Sequence, residues 1–200
     1  MIVIGIVGLI SSGKSTVGKI LEFNGCRVLN LDQMSHEVYL KGSDAYQEII
    51  NEWGKDILGE DEEISRASLS KKVFIDDENE VLKLESIVWP NLVNNLKKRL
   101  TYFKDEDLVF IEGAKILNSD FVKYCDKIWC IVSSIENIKN RIISTSKNHN
   151  NLLQRLKNQI NEYSYLTGVD EFIENNSTRQ ELENDVKLLL EKIRKDYFND

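Results

Sequence analysis

The fold is decided at the start of the chain, by Ile2-Val3-Ile4-Gly5-Ile6-Val7 followed by Gly8-Leu9-Ile10-Ser11-Ser12-Gly13-Lys14-Ser15-Thr16. Residues 2–7 are apolar or glycine and rich in β-branched side chains, which predicts a buried strand. Residues 8–13 predict a turn, and residues 14–24 predict a helix with an apolar side. The stretch 8–15 has the pattern G-x-x-x-x-G-K-[ST] in the strand–turn–helix context that a phosphate-binding loop requires.

Each residue type in this loop suits phosphate binding. Glycines let backbone N–H groups turn inward around an oxyanion, and the helix start adds N–H donors and a positive dipole end. We expect Lys14 to reach the β- and γ-phosphates of ATP, Ser15 to offer its hydroxyl to Mg²⁺, and Thr16 to contact the α-phosphate region. The alternative is a strand-to-helix turn without a ligand, but such a turn has no need of a Lys-Ser pair. The predicted nucleotide contacts are Gly8, Ser11, Ser12, Gly13, Lys14, Ser15 and Thr16.

The rest of the chain alternates strands with helices. Further strands are predicted at 26–31, 108–111, 127–132 and 172–173, and further helices at 33–40, 43–53, from about 135, at 152–166 and at 178–198. This alternation predicts an α/β fold of the three-layer P-loop NTPase type, with a parallel sheet of about five strands, right-handed crossovers and flanking helices. Ligands bind at the carboxyl ends of such strands, so the phosphate loop, Asp32 and Glu112 are expected at one edge.

A single domain of 200 residues is predicted, with a helical insert. Residues 1–60 and 106–200 are expected to form the nucleotide-binding core. The insert is expected at residues 61–105. Within it, Ile64 to Phe103 show helical periodicity without a strand signal, and Ser65 is a suitable N-cap for a helix there. The polar stretch 144–151 predicts a mobile loop within a lid at 144–165.

Two acids lie at predicted strand ends. Asp32 follows the second strand, where a kinase acting on a hydroxyl needs a carboxylate to take or orient the acceptor proton. The alternative is that Asp32 is the N-cap of the helix at 33–40. Glu112 ends the third strand and is equally well interpreted as an acid that holds Mg²⁺ through water or as a solvated acid. Asn30 lies two residues before Asp32, so strand alternation puts both on one face.

Two arginines flank the predicted lid loop. Arg141 is early in the helix after the fourth strand, and Arg155 follows the polar stretch. Arginines on a mobile lid neutralise charge on a transferred phosphoryl group, so we expect both to contact the nucleotide. The alternative for each is an ordinary surface salt bridge.

The bulk composition excludes several classes of protein. A net charge of −7 argues against nucleic-acid binding, which needs a broad basic face. Three cysteines without a C-x-x-C pair or a Cys/His cluster support neither a zinc site nor a disulfide framework. We find no signal-peptide pattern and no apolar run long enough to span a membrane, so the cytoplasm is the expected compartment. We expect a monomer or a small homo-oligomer.

The ordered set of these residues resembles the dephospho-CoA kinase family over nearly the whole chain. The segments that carry the resemblance are Ile4 to Val17, Val28 to Asp32, His36 to Tyr39, Tyr46 to Leu58, Ile64 to Phe74, Leu84 to Ile87, Pro90, Asp126 to Trp129, Arg141, Arg155, Gln159 and Phe172 to Asn176. The chain departs from the family pattern at Leu9, Ile10, Asn30, Trp89, Lys115, Ile116 and Thr145.

The resemblance implies ATP-dependent phosphorylation of the ribose 3′-hydroxyl of dephospho-CoA. It implies that Asp32 is the catalytic base, that Lys14 and Arg141 take part in catalysis, and that Asn175 contacts the nucleotide. It also implies that the insert grips the acceptor. Two other functions stay open at this point: a kinase of another small acceptor, such as a nucleoside monophosphate, and a nucleotide-binding paralogue with little or no turnover.

Overall fold

A parallel sheet forms the centre of the nucleotide-binding part of the chain. A computed structural model describes residues 1–73, 78–105, 107–145, 149–163 and 167–198. They divide into two compact units, Met1–Leu29 with Phe103–Asp200, and Asn30–Tyr102. The predicted insert begins at residue 61, whereas the second compact unit begins at Asn30 and ends at Tyr102.

The sheet has five strands in the order β2-β3-β1-β4-β5. The strands are β1 (Ile2–Val7), β2 (Arg27–Asn30), β3 (Leu108–Glu112), β4 (Lys127–Val132) and β5 (Glu171–Glu174). Strand β1 pairs in parallel with β3 and β4, and β4 pairs in parallel with β5. Because β1 is central and covered on both faces, its sequence is continuously apolar rather than alternating. The predicted α/β fold with a parallel five-stranded sheet is confirmed.

Among the described residues, four α-helices belong to the same unit as most of this sheet. They are α1 (Lys14–Phe23), α6 (Ile135–Thr145), α7 (His149–Tyr163) and α8 (Arg179–Phe198). Helices α1 and α8 pack together on one face of the sheet, where Val17 and Leu21 of α1 and Val186 and Leu190 of α8 share a core with strand residues. Helices α6 and α7 form a separate apolar cluster. Residues 146–148 of the predicted mobile loop, and residues 164–166 of the predicted helix at 152–166, lie outside the described residues.

The described residues of the second unit form mainly helices. It contains α2 (Leu31–Glu37), α3 (Asp44–Trp53), α4 (Arg66–Val73), α5 (Glu78–Leu100) and a short 3₁₀ turn at Lys55–Ile57. The predicted N-cap role of Ser65 is confirmed, since its hydroxyl accepts a hydrogen bond from the Ser68 N–H at 3.3 Å. Helix α3 packs against α5, and the Trp53 indole N–H donates to a Glu80 carboxylate oxygen at 2.8 Å.

The end of β2 differs from the expected strand at 26–31. Strand β2 stops at Asn30, and α2 begins at Leu31. The Asn30 side chain caps α2 by accepting a hydrogen bond from the Gln33 N–H at 2.9 Å, which favours a helix start over continued extension. The expectation that Asn30 and Asp32 share one strand face is therefore wrong, because Asp32 is already helical.

None of the helices in the described part of the chain is long and apolar enough to span a bilayer.

Candidate nucleotide-binding site

The loop between β1 and α1 is shaped by its two end glycines. Gly8 has a φ of 148° and Gly13 a φ of 113°, backbone conformations that L side chains rarely adopt. Space is equally limiting: a Cβ at Gly8 would lie 2.5 Å from the Ile131 carbonyl oxygen, and a Cβ at Gly13 would overlap the Asn175 side-chain amide. Both positions therefore require glycine, as the predicted phosphate-binding loop does.

The Lys14 ammonium lies against this loop. It donates to the carbonyl oxygens of Gly8 at 3.0 Å and Leu9 at 3.1 Å. The Lys14 charge also affects a thiol in β4. Burial raises the pKa of the Cys130 thiol to about 11, and the nearby Lys14 ammonium lowers this pKa in part. A fixed cation at a loop followed by a helix start is the arrangement expected of an anion site.

A cavity of about 290 Å³ opens beside the loop. This volume lies near the lower end of the range for small-molecule sites, about 300–1,000 Å³. Two cations line it, one from α1 and one from α6. The lining residues are Ser11, Gly13, Lys14, Ser15, Thr16, Arg141, Thr145 and Asn175.

Arg141 connects α6 to the loop. Its guanidinium donates to the carbonyl oxygens of Ser11 at 3.3 Å, Ser12 at 3.1 Å and Asn175 at 2.6 Å. The alternative of a surface salt bridge is wrong for this residue, because these partners are backbone carbonyls at the cavity wall. The three hydrogen bonds hold the arginine at the wall of the cavity that Lys14 also lines, and the carbonyl acceptors carry no net charge that would neutralise it.

Asn175 secures the other side of the loop. It is 9% exposed, and its side-chain amide donates to the Ser12 carbonyl oxygen at 2.8 Å. Its backbone N–H donates to Val132 at the end of β4, also at 2.8 Å. The position just after β5 therefore both lines the cavity and supports the loop.

The carboxylate at the end of β3 is buried. Glu112 is 6% exposed, so the interpretation as a solvated acid is wrong. The Ser15 hydroxyl donates to Glu112 Oε1 at 2.6 Å. A hydroxyl and a carboxylate in contact at the start of α1 offer two hard oxygen donors of the kind that Mg²⁺ prefers.

Asp32 belongs to the second unit. It is an exposed residue in the first turn of α2, and Asn30 is the N-cap of that helix. The alternative that Asp32 is itself the cap is wrong. That its carboxylate faces the phosphate loop stays a prediction.

Two further residues lie on α7, one with a predicted nucleotide contact and one with a contact that the sequence does not predict. Arg155 is exposed on this helix, and its contact with nucleotide stays a prediction. Gln159 is half-buried, and its side-chain oxygen accepts a hydrogen bond from the Ile10 N–H of the loop at 2.7 Å. We did not anticipate this contact, because a glutamine in an amphipathic helix carries no local signal of a partner 149 residues away.

The parallel sheet, the glycine-bounded loop and the cation-lined cavity together define a P-loop kinase. The chain belongs to the dephospho-CoA kinase family, whose sequence model matches residues 2–181. The resemblance noted in the sequence is thus confirmed.

Named relatives agree with this assignment along the whole chain. The dephospho-CoA kinase of Fusobacterium nucleatum is 32% identical over 194 residues, which cover 96% of this chain and 99% of that protein. That of Aquifex aeolicus is 30% identical over 193 residues, which cover 96% and 98%. A solved dephospho-CoA kinase from Campylobacter jejuni has the same fold, with a TM-score of 0.66 at 20% identity and 96% of each chain covered.

Proposed function

We propose that this protein transfers the γ-phosphoryl group of ATP to the ribose 3′-hydroxyl of dephospho-CoA, giving coenzyme A and ADP. The observation that carries the donor side is the cavity where Lys14 and Arg141 converge beside the glycine-bounded loop. The acceptor rests on membership of the family across residues 2–181. This reaction is the last step of coenzyme A biosynthesis.

On the donor side, the loop and the start of α1 bind the phosphates of ATP through backbone N–H groups. The ammonium of Lys14 neutralises charge on the β- and γ-phosphates, and the Arg141 guanidinium neutralises charge that develops during transfer. Both cations lie on the wall of one cavity. Asn175 holds the Ser12 carbonyl and so keeps the loop in its binding shape.

Ser15 and Glu112 fit a magnesium site. Mg²⁺ keeps several waters and binds to one or two protein oxygens together with substrate phosphates. The Ser15–Glu112 pair supplies such oxygens, and the described residues contain no cluster of three or more His, Cys, Asp or Glu that would suit a site made by protein alone. When bound with ATP, the ion would neutralise charge across the β- and γ-phosphate oxygens.

On the acceptor side, Asp32 is the proposed base. The 3′-hydroxyl oxygen forms a bond to the γ-phosphorus while the bond from that phosphorus to the β–γ bridging oxygen breaks. The hydroxyl proton passes to the Asp32 carboxylate, and ADP leaves. This role needs the carboxylate within about 2.6–3.2 Å of the hydroxyl in the substrate complex.

Two larger segments have proposed roles that follow from the family resemblance. Residues 61–105 bind the pantetheine-bearing acceptor, and residues 144–165 act as a lid that carries Arg155. A cytoplasmic location, and a monomer or small homo-oligomer, also stay predictions.

A panel of acceptors tests the proposal. The protein is incubated with ATP, Mg²⁺ and either dephospho-CoA, adenosine or a nucleoside monophosphate, and the phosphorylated product is identified by mass spectrometry. We expect product with dephospho-CoA, at a rate at least 100-fold above the others. A preference for a nucleoside monophosphate would identify a different kinase, and ATP binding without any product would identify a nucleotide-binding paralogue.

A further inference from the structure

The peptide unit that joins Leu9 to Ile10 is held from both of its ends. Its carbonyl oxygen, on Leu9, accepts hydrogen bonds from the Lys14 ammonium and from the Ser12 N–H, each at 3.1 Å. Its N–H, on Ile10, donates to Gln159 Oε1 at 2.7 Å. One planar group therefore connects α7 to the lysine of the phosphate loop.

Peptide planarity makes these contacts interdependent. The C=O and N–H of a trans peptide point in opposite directions, so rotating the unit moves both. With Gln159 holding the N–H on one side, the Leu9 carbonyl is turned toward Lys14 on the other. Without that acceptor, the Ile10 N–H loses its partner, and only the Lys14 ammonium and the Ser12 N–H still hold the peptide, so its orientation is less restricted.

The side chains at the same two positions strengthen this connection. Leu9 and Ile10 pack against the apolar cluster of α6 and α7, whose buried members are Ile138, Ile142 and Leu156. These packed side chains keep the Leu9–Ile10 peptide next to α7, where the Gln159 amide can reach it.

We propose that Gln159 is a positioning residue for ATP: by binding the Ile10 N–H, it orients the Leu9 carbonyl that holds the Lys14 ammonium at the phosphate site. Gln159 acts through the loop and makes no contact with the reacting atoms. This inference rests on the proposed ATP-dependent function, but it concerns ATP binding alone and does not depend on the acceptor.

The test compares ATP affinities in a double-mutant cycle. Gln159→Met keeps the length of the side chain and removes the acceptor oxygen. We expect it to weaken ATP binding about tenfold, the scale of losing a hydrogen bond and leaving a half-buried donor unpaired. In the Lys14→Ala background the same substitution should change ATP affinity less than twofold, because the ammonium that the Leu9 carbonyl holds is gone. The KM for dephospho-CoA should stay within twofold of wild type.

A matched control is available on α8, outside the proposed lid. Gln180 is exposed, and its side chain bonds only to Asn184 among the described residues, at 3.3 Å. Gln180→Met should therefore leave ATP affinity and turnover unchanged. A measurement on the unaltered protein is independent of variant folding: the Ile10 amide should exchange its proton slowly in the ATP-free state, as followed by NMR.

Each outcome is decisive. A tenfold loss in both the wild-type and the Lys14→Ala backgrounds would show that Gln159 acts by another route. Unchanged affinity in Gln159→Met, or an Ile10 amide that exchanges as fast as an unstructured one, would overturn the inference. Wild-type protein that fails to bind ATP would instead overturn the proposed function.

Discussion

Gly13→Ala tests how tightly the end of the phosphate loop is packed. Gly13 has a φ of 113°, and the added methyl would overlap the Asn175 side-chain amide. That amide is buried and donates to the Ser12 carbonyl oxygen at 2.8 Å, so it cannot move aside without losing this bond. The substitution therefore combines backbone strain with displacement of Asn175.

The two costs can be separated with a second glycine in the same unit. The positive φ costs a non-glycine residue about 1–2 kcal/mol, and loss of the buried Asn175 hydrogen bond costs about 1–3 kcal/mol more. Gly25 has a φ of 81° and no atom within 4 Å of an added Cβ. Gly25→Ala therefore carries the strain alone, whereas Gly13→Ala should lose roughly 2–5 kcal/mol in all.

Thermal unfolding and ATP binding of both variants check this prediction. The melting temperature of Gly13→Ala should be lower than that of Gly25→Ala, by about 2–4 °C for each kcal/mol of the difference. ATP affinity should fall only in Gly13→Ala, because Asn175 lines the cavity and holds the loop. Equal destabilisation of the two variants, with ATP affinity retained in both, would refute the reasoning.

Three further substitutions address the proposed roles. Lys14→Ala should lower turnover by about 10³-fold with the circular dichroism spectrum unchanged; wild-type turnover in the folded variant would contradict a phosphate-binding role. Asp32→Asn should lower kcat about 100-fold and leave ATP affinity near wild type. The melting temperature should also stay near wild type, since Asn30 rather than Asp32 caps α2. An unchanged kcat would show that Asp32 is not the catalytic base. Glu112→Gln keeps a hydrogen-bond acceptor for Ser15 and removes the charge, so half-maximal activity should need about tenfold more Mg²⁺. An unaltered Mg²⁺ dependence of activity would show that Glu112 does not take part in binding the metal ion.

The acid at the end of β3 shows how tertiary structure excludes one of two interpretations that are equal in the sequence. From the sequence, Glu112 was as consistent with a solvated acid as with a metal-site acid. Its side chain is buried because β3 lies between β2 and β1, and its partner, Ser15, comes from a helix 97 residues away. A buried carboxylate must have polar partners, and the Ser15 hydroxyl is one. Burial rules out the solvated acid, and the metal-site role stays a prediction.

The start of α2 shows a limit of local patterns. Residues 26–31 are mostly apolar and predict a strand, yet the chain turns helical at Leu31. The signal for that change was present in Asn30, a good N-cap residue. A cap and a strand residue look alike in sequence when the flanking residues are apolar.

The sequence by itself determined the strand–loop–helix unit at residues 2–23, the parallel α/β architecture and the two glycines at the ends of the loop. These follow from local chemistry, because periodicity, β-branching and the need for positive φ act over a few neighbouring residues. Only the tertiary structure decided that Arg141 binds loop carbonyls, that Asn175 lies against Gly13 and that Gln159 holds Ile10. These contacts join residues more than 100 positions apart, and side-chain type alone does not select one partner among many until packing brings the elements together.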